Sequence, residues 1–241
     1  MGLGAEHDGK FPETRWSLVK RIGGSDDPNR EKALEEICTI YWPPVYAFLR
    51  ASGETAHDAE DLTQAFFADF LSRDSFRSAD PAKGRLRTYL LSCLKNFLID
   101  EHRKSVRLKR GGGLRPLSLD SGEGEARCLN LATDTSNIDL IFDRQWAITL
   151  IENVMLRLRD RYQGPGKAAF YSSLNPYLRV DPDPGTLRSL AAEVDRPEGT
   201  IRVALHRLRR RFRDLLEEEV RATLAPGDDF EEEMRFLRSV I

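Results

Sequence analysis

The segment from Thr186 to Leu216, TLRSLAAEVDRPEGTIRVALHRLRRRFRDLL, constrains the chain more than any other, because it has the pattern of two helices joined by a tight turn. Ala191 is small enough for a close helix approach, Asp195 falls in the turn, and Ile201 is placed to pack the second helix onto the first. Pro197 suits the first turn of that second helix, where a missing N–H costs little. The spacing predicts a helix-turn-helix.

The second helix of this unit carries positive charge on the face that packing leaves exposed. The residues of that face are Thr200, Arg202, Val203, His206, Arg207, Arg209, Arg210, Arg211 and Arg213. Cations on a helix that fits the major groove favour DNA binding. A solvated amphipathic helix in a hairpin that never touches DNA has the same pattern, so the rest of the chain has to decide.

The distribution of charge supports a nucleic-acid partner although the total charge does not. The 241 residues carry 37 basic and 39 acidic side chains, a formal net charge of −2. Ten basic and two acidic residues lie between Lys83 and Arg115, and seven arginines and one glutamate between Arg196 and Arg213. Two separated basic patches on a near-neutral chain suggest two contacts with one polyanion.

Cysteine usage and hydropathy exclude several classes of protein. The three cysteines, Cys38, Cys93 and Cys128, show no CxxC or Cys/His ligand spacing, which argues against a disulfide framework or a zinc site. We expect no metal and no cofactor. No apolar run approaches the roughly 18–20 residues that span a bilayer, and no signal-peptide core is present at the start of the sequence. We therefore expect a cytoplasmic protein without membrane insertion.

Helical periodicity recurs along the chain while strand signals are almost absent, so we predict an all-α fold. A glycine-rich stretch without helical period suggests a flexible linker between two small helical domains, the second containing the helix-turn-helix. The predicted division is an arm over 1–26, a first domain over 27–106, a linker over 107–139, a second domain over 140–217 and a C-terminal extension over 218–241.

Four helices are predicted in the first domain, over Arg30–Ile40, Pro44–Ala51, His57–Leu71 and about Arg85–Arg107. The C-terminal extension is acidic and places Phe230, Met234, Leu237 and Ile241 on one helical face. It can cover the basic recognition helix, dock on a partner or pack on its own domain, and we expect the last of these.

Several motifs occur in a familiar order. They are His57–Phe67 (HDAEDLTQAFF), Asp74–Arg77 (DSFR), Arg85–Leu90 (RLRTYL), Leu94–Asp100 (LKNFLID), Pro197–Arg202 (PEGTIR) and Leu205–Arg210 (LHRLRR). Over about residues 28–105 and 140–216, the chain resembles bacterial RNA polymerase sigma factors of the small, two-domain extracytoplasmic-function type. The first motif resembles a helix that docks on the polymerase clamp, the next three the part that melts and reads the minus-ten element, and the last two the stretch that reads the minus-thirty-five element.

The resemblance assigns roles to particular side chains. Core-polymerase binding falls to Asp58, Asp61, Gln64 and Phe67. Contacts with the minus-ten element fall to Phe76, Arg77, Lys83, Arg85, Arg87, Tyr89, Lys95, Asn96 and Arg103. Contacts with the minus-thirty-five element fall to Glu198, Thr200, Arg202, Val203, His206, Arg207 and Arg210. The implied partners are core RNA polymerase and promoter DNA, with an anti-sigma factor or another regulatory protein as a further possibility.

The residue chemistry agrees with these roles while leaving alternatives open. Asp61 and Gln64 are three residues apart and share one helix face, with Phe67 at its edge, and the alternative is an ordinary solvated face. Cations and flat side chains near Phe76 suit single-stranded DNA, which needs partners for phosphates and for unstacked bases. The alternative for Phe76 and Tyr89 is core packing.

The chain departs from the family pattern at four positions. Asp195 stands where glycine is more common, and aspartate tolerates the left-handed conformation better than most residues. Ala65 replaces a glutamate, which weakens one expected contact with the clamp. Val203 and Ala204 replace polar or basic residues, so base readout there leans on apolar contact with a thymine methyl.

The function implied by the resemblance is that of a promoter-specificity subunit without catalytic activity. A free-standing helix-turn-helix regulator that binds duplex DNA alone is the alternative, and the first domain argues against it. An enzyme is disfavoured, because the acidic cluster at His57–Asp61 lacks a second histidine at ligand spacing. Gly164–Lys167 also lacks the full phosphate-loop pattern.

Overall fold

The computed structural model describes residues 15–23, 28–72, 80, 82, 84–110 and 135–241. The regular structure in these ranges is helical, without a strand, and the predicted all-α class is confirmed. Contacts divide the chain into two units. The first unit runs to Thr149 and also includes Ala222–Ile241, and the second unit is Leu150–Arg221. The last twenty residues therefore group with the first unit.

The first unit contains α1 (Arg15–Gly23), α2 (Arg30–Ala51), α3 (Ala56–Ser72), α4 (Leu86–Arg110) and the start of α5 (Thr135–Asp160). The second unit contains the rest of α5, then α6 (Lys167–Leu174), a 3₁₀ turn (Asn175–Tyr177), α7 (Pro184–Glu193) and most of α8 (Glu198–Thr223). The last helix, α9 (Phe230–Val240), belongs to the first unit. Of the predicted linker, 107–110 and 135–139 are helical, and 111–134 lie outside the described residues.

The second helix is continuous through two prolines, so the predicted break between Ile40 and Pro44 is wrong. Pro43 and Pro44 lie inside α2 and cannot donate the backbone bonds that a helix interior uses. Tyr41, Val45 and their apolar neighbours are buried on both sides of the prolines. Tertiary packing offsets the lost hydrogen bonds, as it commonly does for helices whose stability comes from a buried face.

The core of the first unit is built from aromatic side chains of α3 and α4. The ring of Phe66 lies 5.6 Å from that of Phe70 and 5.7 Å from that of Phe97, centroid to centroid. Such offset and edge-to-face pairs contribute about 0.5–1.5 kcal/mol each beyond their burial. From the N-terminal side, α1 packs against α2 and buries Trp16 and Val19. The core fixes the orientation of α3.

The turn of the helix-turn-helix is a Schellman motif that closes α7. The Arg196 N–H donates to the Ala191 carbonyl (2.9 Å) and the Asp195 N–H to the Ala192 carbonyl (3.3 Å), which is the six-to-one and five-to-two pattern of that motif. Asp195 has a φ of 50°. The left-handed conformation expected at this position is therefore confirmed, and an aspartate holds a place that glycine occupies more easily.

Both helices of the motif are fixed at their start. At α7, the Asp183 carboxylate accepts the Gly185 N–H (2.8 Å) and the Thr186 N–H (3.0 Å), and these bonds together with one from the Thr186 hydroxyl lower the pKa of Asp183. At α8, the Pro197 carbonyl accepts the Thr200 N–H (2.9 Å). Ile201 is fully buried, as the spacing predicted. The recognition helix is therefore held in one position within its unit.

Within the described part of the chain, none of the helices combines the length and the apolar character that crossing a bilayer requires.

Substitution of Asp195 tests how far the turn depends on its left-handed residue. We expect Asp195→Gly to leave amide exchange in 186–208 unchanged or slower, because glycine adopts φ > 0 without steric cost. Asp195→Val should accelerate that exchange about tenfold, since a side chain in the left-handed region costs about 1–2 kcal/mol. Hydrogen exchange measured by mass spectrometry distinguishes the two. Equal exchange in both variants would contradict the account.

Candidate nucleic-acid interfaces

The acidic face of α3 is exposed as predicted. Asp61 has a side chain 67% exposed, with its carboxylate 3.8 Å from His57, and Gln64 lies on the same exposed face. Asp58 is exposed as well, but it also closes the helix start. Its carboxylate accepts the Thr55 hydroxyl (2.6 Å) while its N–H donates to the Thr55 hydroxyl oxygen (3.1 Å), so Thr55 caps the start of α3. Among the described residues, the contacts of Asp61 and Gln64 do not include a helix cap of this kind.

The prediction that Phe67 lies at the edge of this face is wrong. Phe67 is only 4% exposed, because its ring stacks on Trp42 at 5.6 Å with the planes 8° apart and meets Phe66 edge to face. Trp42 covers it and is itself 37% exposed. Trp42 was missed because it lies beside two prolines, where the helical pattern of the sequence breaks.

The residues predicted for the minus-ten element fall into three groups. Phe76, Arg77 and Lys83 lie outside the described residues. Asn96 and Arg103 are exposed on α4, with Arg103 3.7 Å from Asp100. The others contact the rest of the first unit.

Tyr89 packs against the core. It is half-buried, with its ring 6.3 Å from that of Phe70. This contact favours the core-packing alternative for Tyr89 in the structure as it stands.

Two cations of this group form ion pairs with later segments of the chain. Arg85 lies with its Nε 2.9 Å from a carboxylate oxygen of Glu233 and its Nη2 3.2 Å from Glu232, both on α9. The ammonium of Lys95 donates to Asp139 of α5 at 2.7 Å. The side chains of Arg85 and Lys95 are 21% and 29% exposed. Their charges are largely neutralised within the first unit.

Arg87 is buried, which corrects its prediction as an exposed DNA contact. Its guanidinium carbon lies 4.6 Å from the centre of the Trp146 ring and 4.2 Å from that of the Phe236 ring, and the guanidinium is ion-paired to Glu233 and to Asp143 (3.4 Å). The Arg87 side chain is 5% exposed and that of Glu233 is fully buried. A guanidinium suits such a site because it offers flat faces to aromatic rings and a fork of donors to carboxylates.

The same cluster changes the acidity of a carboxyl group on α5. Burial raises the pKa of Asp143 above its usual range, and Arg87 counteracts the rise only in part. The charged form of Asp143 therefore depends on the guanidinium beside it.

The recognition helix in the second unit presents its predicted residues to solvent. Thr200, Arg202, His206, Arg207 and Arg210 are exposed, Val203 is half exposed, and Glu198 is partly exposed. The Arg202 guanidinium lies 3.8 Å from the Glu198 carboxylate one turn earlier, a contact that is weak in water. These side chains are available for a ligand without rearrangement of the helix.

An open groove of about 750 Å³ runs beside this face within the second unit. Four of its lining residues are cations, namely Lys167, Arg196, Arg207 and Arg211. Arg211 is positioned by Tyr162, whose hydroxyl it reaches at 3.1 Å and whose ring lies 5.7 Å from the guanidinium carbon. Lys167, Arg196 and Arg211 were not among the predicted contacts. Their positive charge was visible in the sequence, but their common groove was not.

Arg209 points away from this face and has a structural task. Its guanidinium donates to the Tyr177 carbonyl (2.6 Å), the Val180 carbonyl (3.0 Å) and the Asp181 carboxylate (2.5 Å). These bonds satisfy carbonyls that the chain leaves without helical partners after α6. Neighbouring arginines of one helix thus have different roles.

Clusters of metal-ligating side chains are lacking in the part of the chain that the structure describes. No group of three or more His, Cys, Asp or Glu side chains is placed to hold a metal ion there. Burial raises the pKa of the Cys38 and Cys93 thiols, which lowers their reactivity at neutral pH.

Comparison with known proteins locates a family on the first unit. Residues 39–108 match the family model of sigma-70 region 2, so the match covers the later part of α2, all of α3 and nearly all of α4. No curated protein and no solved structure matches the chain. The match falls on the part of the chain that carries the acidic face of α3 and the paired cations at α4.

Proposed function

We propose that this chain is a sigma factor of the extracytoplasmic-function type, which binds core RNA polymerase and directs it to specific promoters. It catalyses no reaction itself. The observation that carries the proposal is the exposed cationic face of α8 in a chain whose residues 39–108 match sigma-70 region 2. Residues 39–108 match a family that acts in transcription initiation, and α8 offers a second surface for DNA.

The docking surface for the polymerase is the exposed face of α3. Asp61 and Gln64 offer a carboxylate and an amide without burial, and the Phe66 side of the helix is held in the core. A basic helical surface of the clamp is the complementary partner. Phe67 supports this surface from within by stacking on Trp42 rather than by touching the polymerase.

The minus-thirty-five element is read by α8 in the major groove of duplex DNA. Arg207 and Arg210 supply donors for guanine edges or phosphates, and Val203 supplies an apolar surface for a thymine methyl. The cations of the groove beside α8, Arg196 and Arg211 among them, suit the phosphates that flank the reading helix.

The minus-ten element is bound along α4 and the segment before it. Asn96 and Arg103 are exposed on α4 and are the side chains available for DNA in the structure as it stands. Phe76, Arg77 and Lys83 complete the proposed surface, and Arg85 and Lys95 join it when their ion pairs within the first unit are broken. We further propose that the protein acts in the cytoplasm and that a regulatory protein of the anti-sigma kind is among its partners.

Promoter-directed transcription tests the proposal as a whole. Core polymerase mixed with the purified chain should give discrete run-off products from a library of promoter fragments, and the chain should co-purify with core enzyme. Core enzyme alone is the control. A chain that bound duplex DNA tightly while ignoring core polymerase would instead be a free-standing helix-turn-helix regulator.

A charge-matched pair of substitutions tests the docking face. We expect Asp61→Ala combined with Gln64→Ala to weaken binding to core polymerase at least tenfold, a loss of about 1.4 kcal/mol. Glu35→Ala removes one exposed negative charge from α2 and should leave that affinity unchanged. Fluorescence anisotropy of labelled protein measures both. Equal losses would show a general effect of charge and no specific face.

Substitutions of two adjacent arginines of α8 are expected to affect different properties, DNA binding for one and local stability for the other. Arg210→Ala should weaken binding to duplexes selected from the library, and each lost phosphate contact should lower the salt slope of log K by about 0.9. Arg209→Ala should instead accelerate amide exchange around 175–183, because it leaves carbonyls unpaired at a cost of about 1–3 kcal/mol. Faster exchange there in the Arg210 variant would contradict this division of roles.

A further inference from the structure

The last helix of the chain covers two arginines at the start of α4. In α9, Glu232 and Glu233 face Arg85, which immediately precedes α4, and Glu233 also pairs with Arg87 in the first turn of α4. The ring of Phe236, one turn further along α9, lies 4.2 Å from the guanidinium carbon of Arg87. One short helix therefore supplies two carboxylates and one aromatic ring to two arginines that are two residues apart.

We propose that α9 is an autoinhibitory segment that occupies the single-stranded DNA surface of α4 and must leave it before Arg85 and Arg87 can bind phosphates. This inference rests on the proposed function for the identity of the DNA, and goes beyond it in assigning a role to the end of the chain. Glutamate carboxylates stand in for phosphate oxygens, because both accept the forked donors of a guanidinium.

The contacts explain why DNA and α9 exclude each other. The guanidinium of Arg87 contacts two aromatic rings, those of Trp146 and Phe236, and is ion-paired to two carboxylates. With 5% of the side chain exposed, no phosphate can reach it while α9 is in place. Withdrawal of α9 removes Phe236 and Glu233 together and leaves Arg87 with Trp146 and Asp143.

The energetics favour a reversible contact. A helix of 11 residues is marginal in water on its own, so α9 depends on the burial of Met234 and Leu237 and on its ion pairs. Buried ion pairs contribute little net stability, since the cost of removing both charges from water nearly cancels their attraction. Exchange of carboxylates for the phosphates of one DNA strand thus replaces one set of charge-assisted bonds by another of the same kind.

Some acidic residues of α9 contact the arginines and another faces solvent. Substitutions of the two kinds can therefore be compared as test and control. Glu232 faces Arg85 with 59% of its side chain exposed, and Glu233 is fully buried. Glu231, one residue earlier, is exposed, and it makes hydrogen bonds to Asp229 (2.9 Å) and Arg235 (3.3 Å) through its backbone N–H and carbonyl. Glu231→Gln therefore removes the same charge from the same turn without touching either arginine.

The first experiment measures binding of a fluorescein-labelled 20-nucleotide oligothymidine to the full-length chain and its variants. We expect Glu232→Gln combined with Glu233→Gln, and a chain ending at Asp229, to bind at least tenfold more tightly than the unmodified chain. Glu231→Gln should bind no more than about twofold more tightly. Adding Arg85→Ala and Arg87→Ala to the shortened chain should abolish its gain.

The second experiment uses the unmodified chain and does not depend on any variant folding. Saturating oligothymidine should accelerate amide exchange across 230–240, because α9 unfolds when it leaves α4. Unchanged exchange in 230–240, or affinities that do not differ between the Glu231 and the Glu232 and Glu233 variants, would overturn autoinhibition and make α9 a permanent part of the first unit. Failure of the proposed function would appear separately, as absence of run-off transcription by every variant.

Discussion

The buried guanidinium of Arg87 is the constraint on which the first unit depends. Taking an arginine out of water costs several kcal/mol unless charges and stacking partners surround it. Here they come from two other helices, with Asp143 and Trp146 on α5 and Glu233 and Phe236 on α9. Each of the two helices supplies one carboxylate and one aromatic ring, so Arg87 holds α4, α5 and α9 in one arrangement while α9 is in place. The cation that resemblance assigns to DNA is thereby the centre of the protein's own packing.

Arginines of the second unit have two different roles. On α8, Arg209 turns inward and satisfies backbone carbonyls beyond α6, while Arg207 and Arg210 face solvent. Successive residues of a helix point about 100° apart, so neighbouring arginines of α8 face different surroundings. The Schellman turn at Asp195 fixes where α8 begins, and so decides which arginines face outward. Local geometry, and not the charge count, sets the recognition face.

Features that depend on short spacings could be predicted from the sequence. The helix-turn-helix, the left-handed Asp195 and the buried Ile201 all follow from residues within one turn or two of each other. Phe67 could not be placed, because its burial depends on Trp42 from another helix. The pairing of Arg87 with Glu233 joins positions 146 residues apart, and helical periodicity carries no information across such a distance. Windows of sequence show which face of a helix is charged, but not what that face meets.

The separation of charge along the chain takes on a different meaning in three dimensions. In the sequence, the basic stretch around α4 and the three successive glutamates Glu231, Glu232 and Glu233 look like independent solvated segments. In the folded first unit, Glu232 and Glu233 pair with Arg85 and Arg87, so these charges cancel at specific pairs. In the second unit, Arg207 and Arg210 remain exposed. Under the proposed function, DNA meets an exposed cationic face on α8, whereas Arg85 and Arg87 are already paired with carboxylates. Under the same proposal, DNA reaches these two arginines only by competing with Glu232 and Glu233, and the burial of Met234 and Leu237 in α9 opposes that competition.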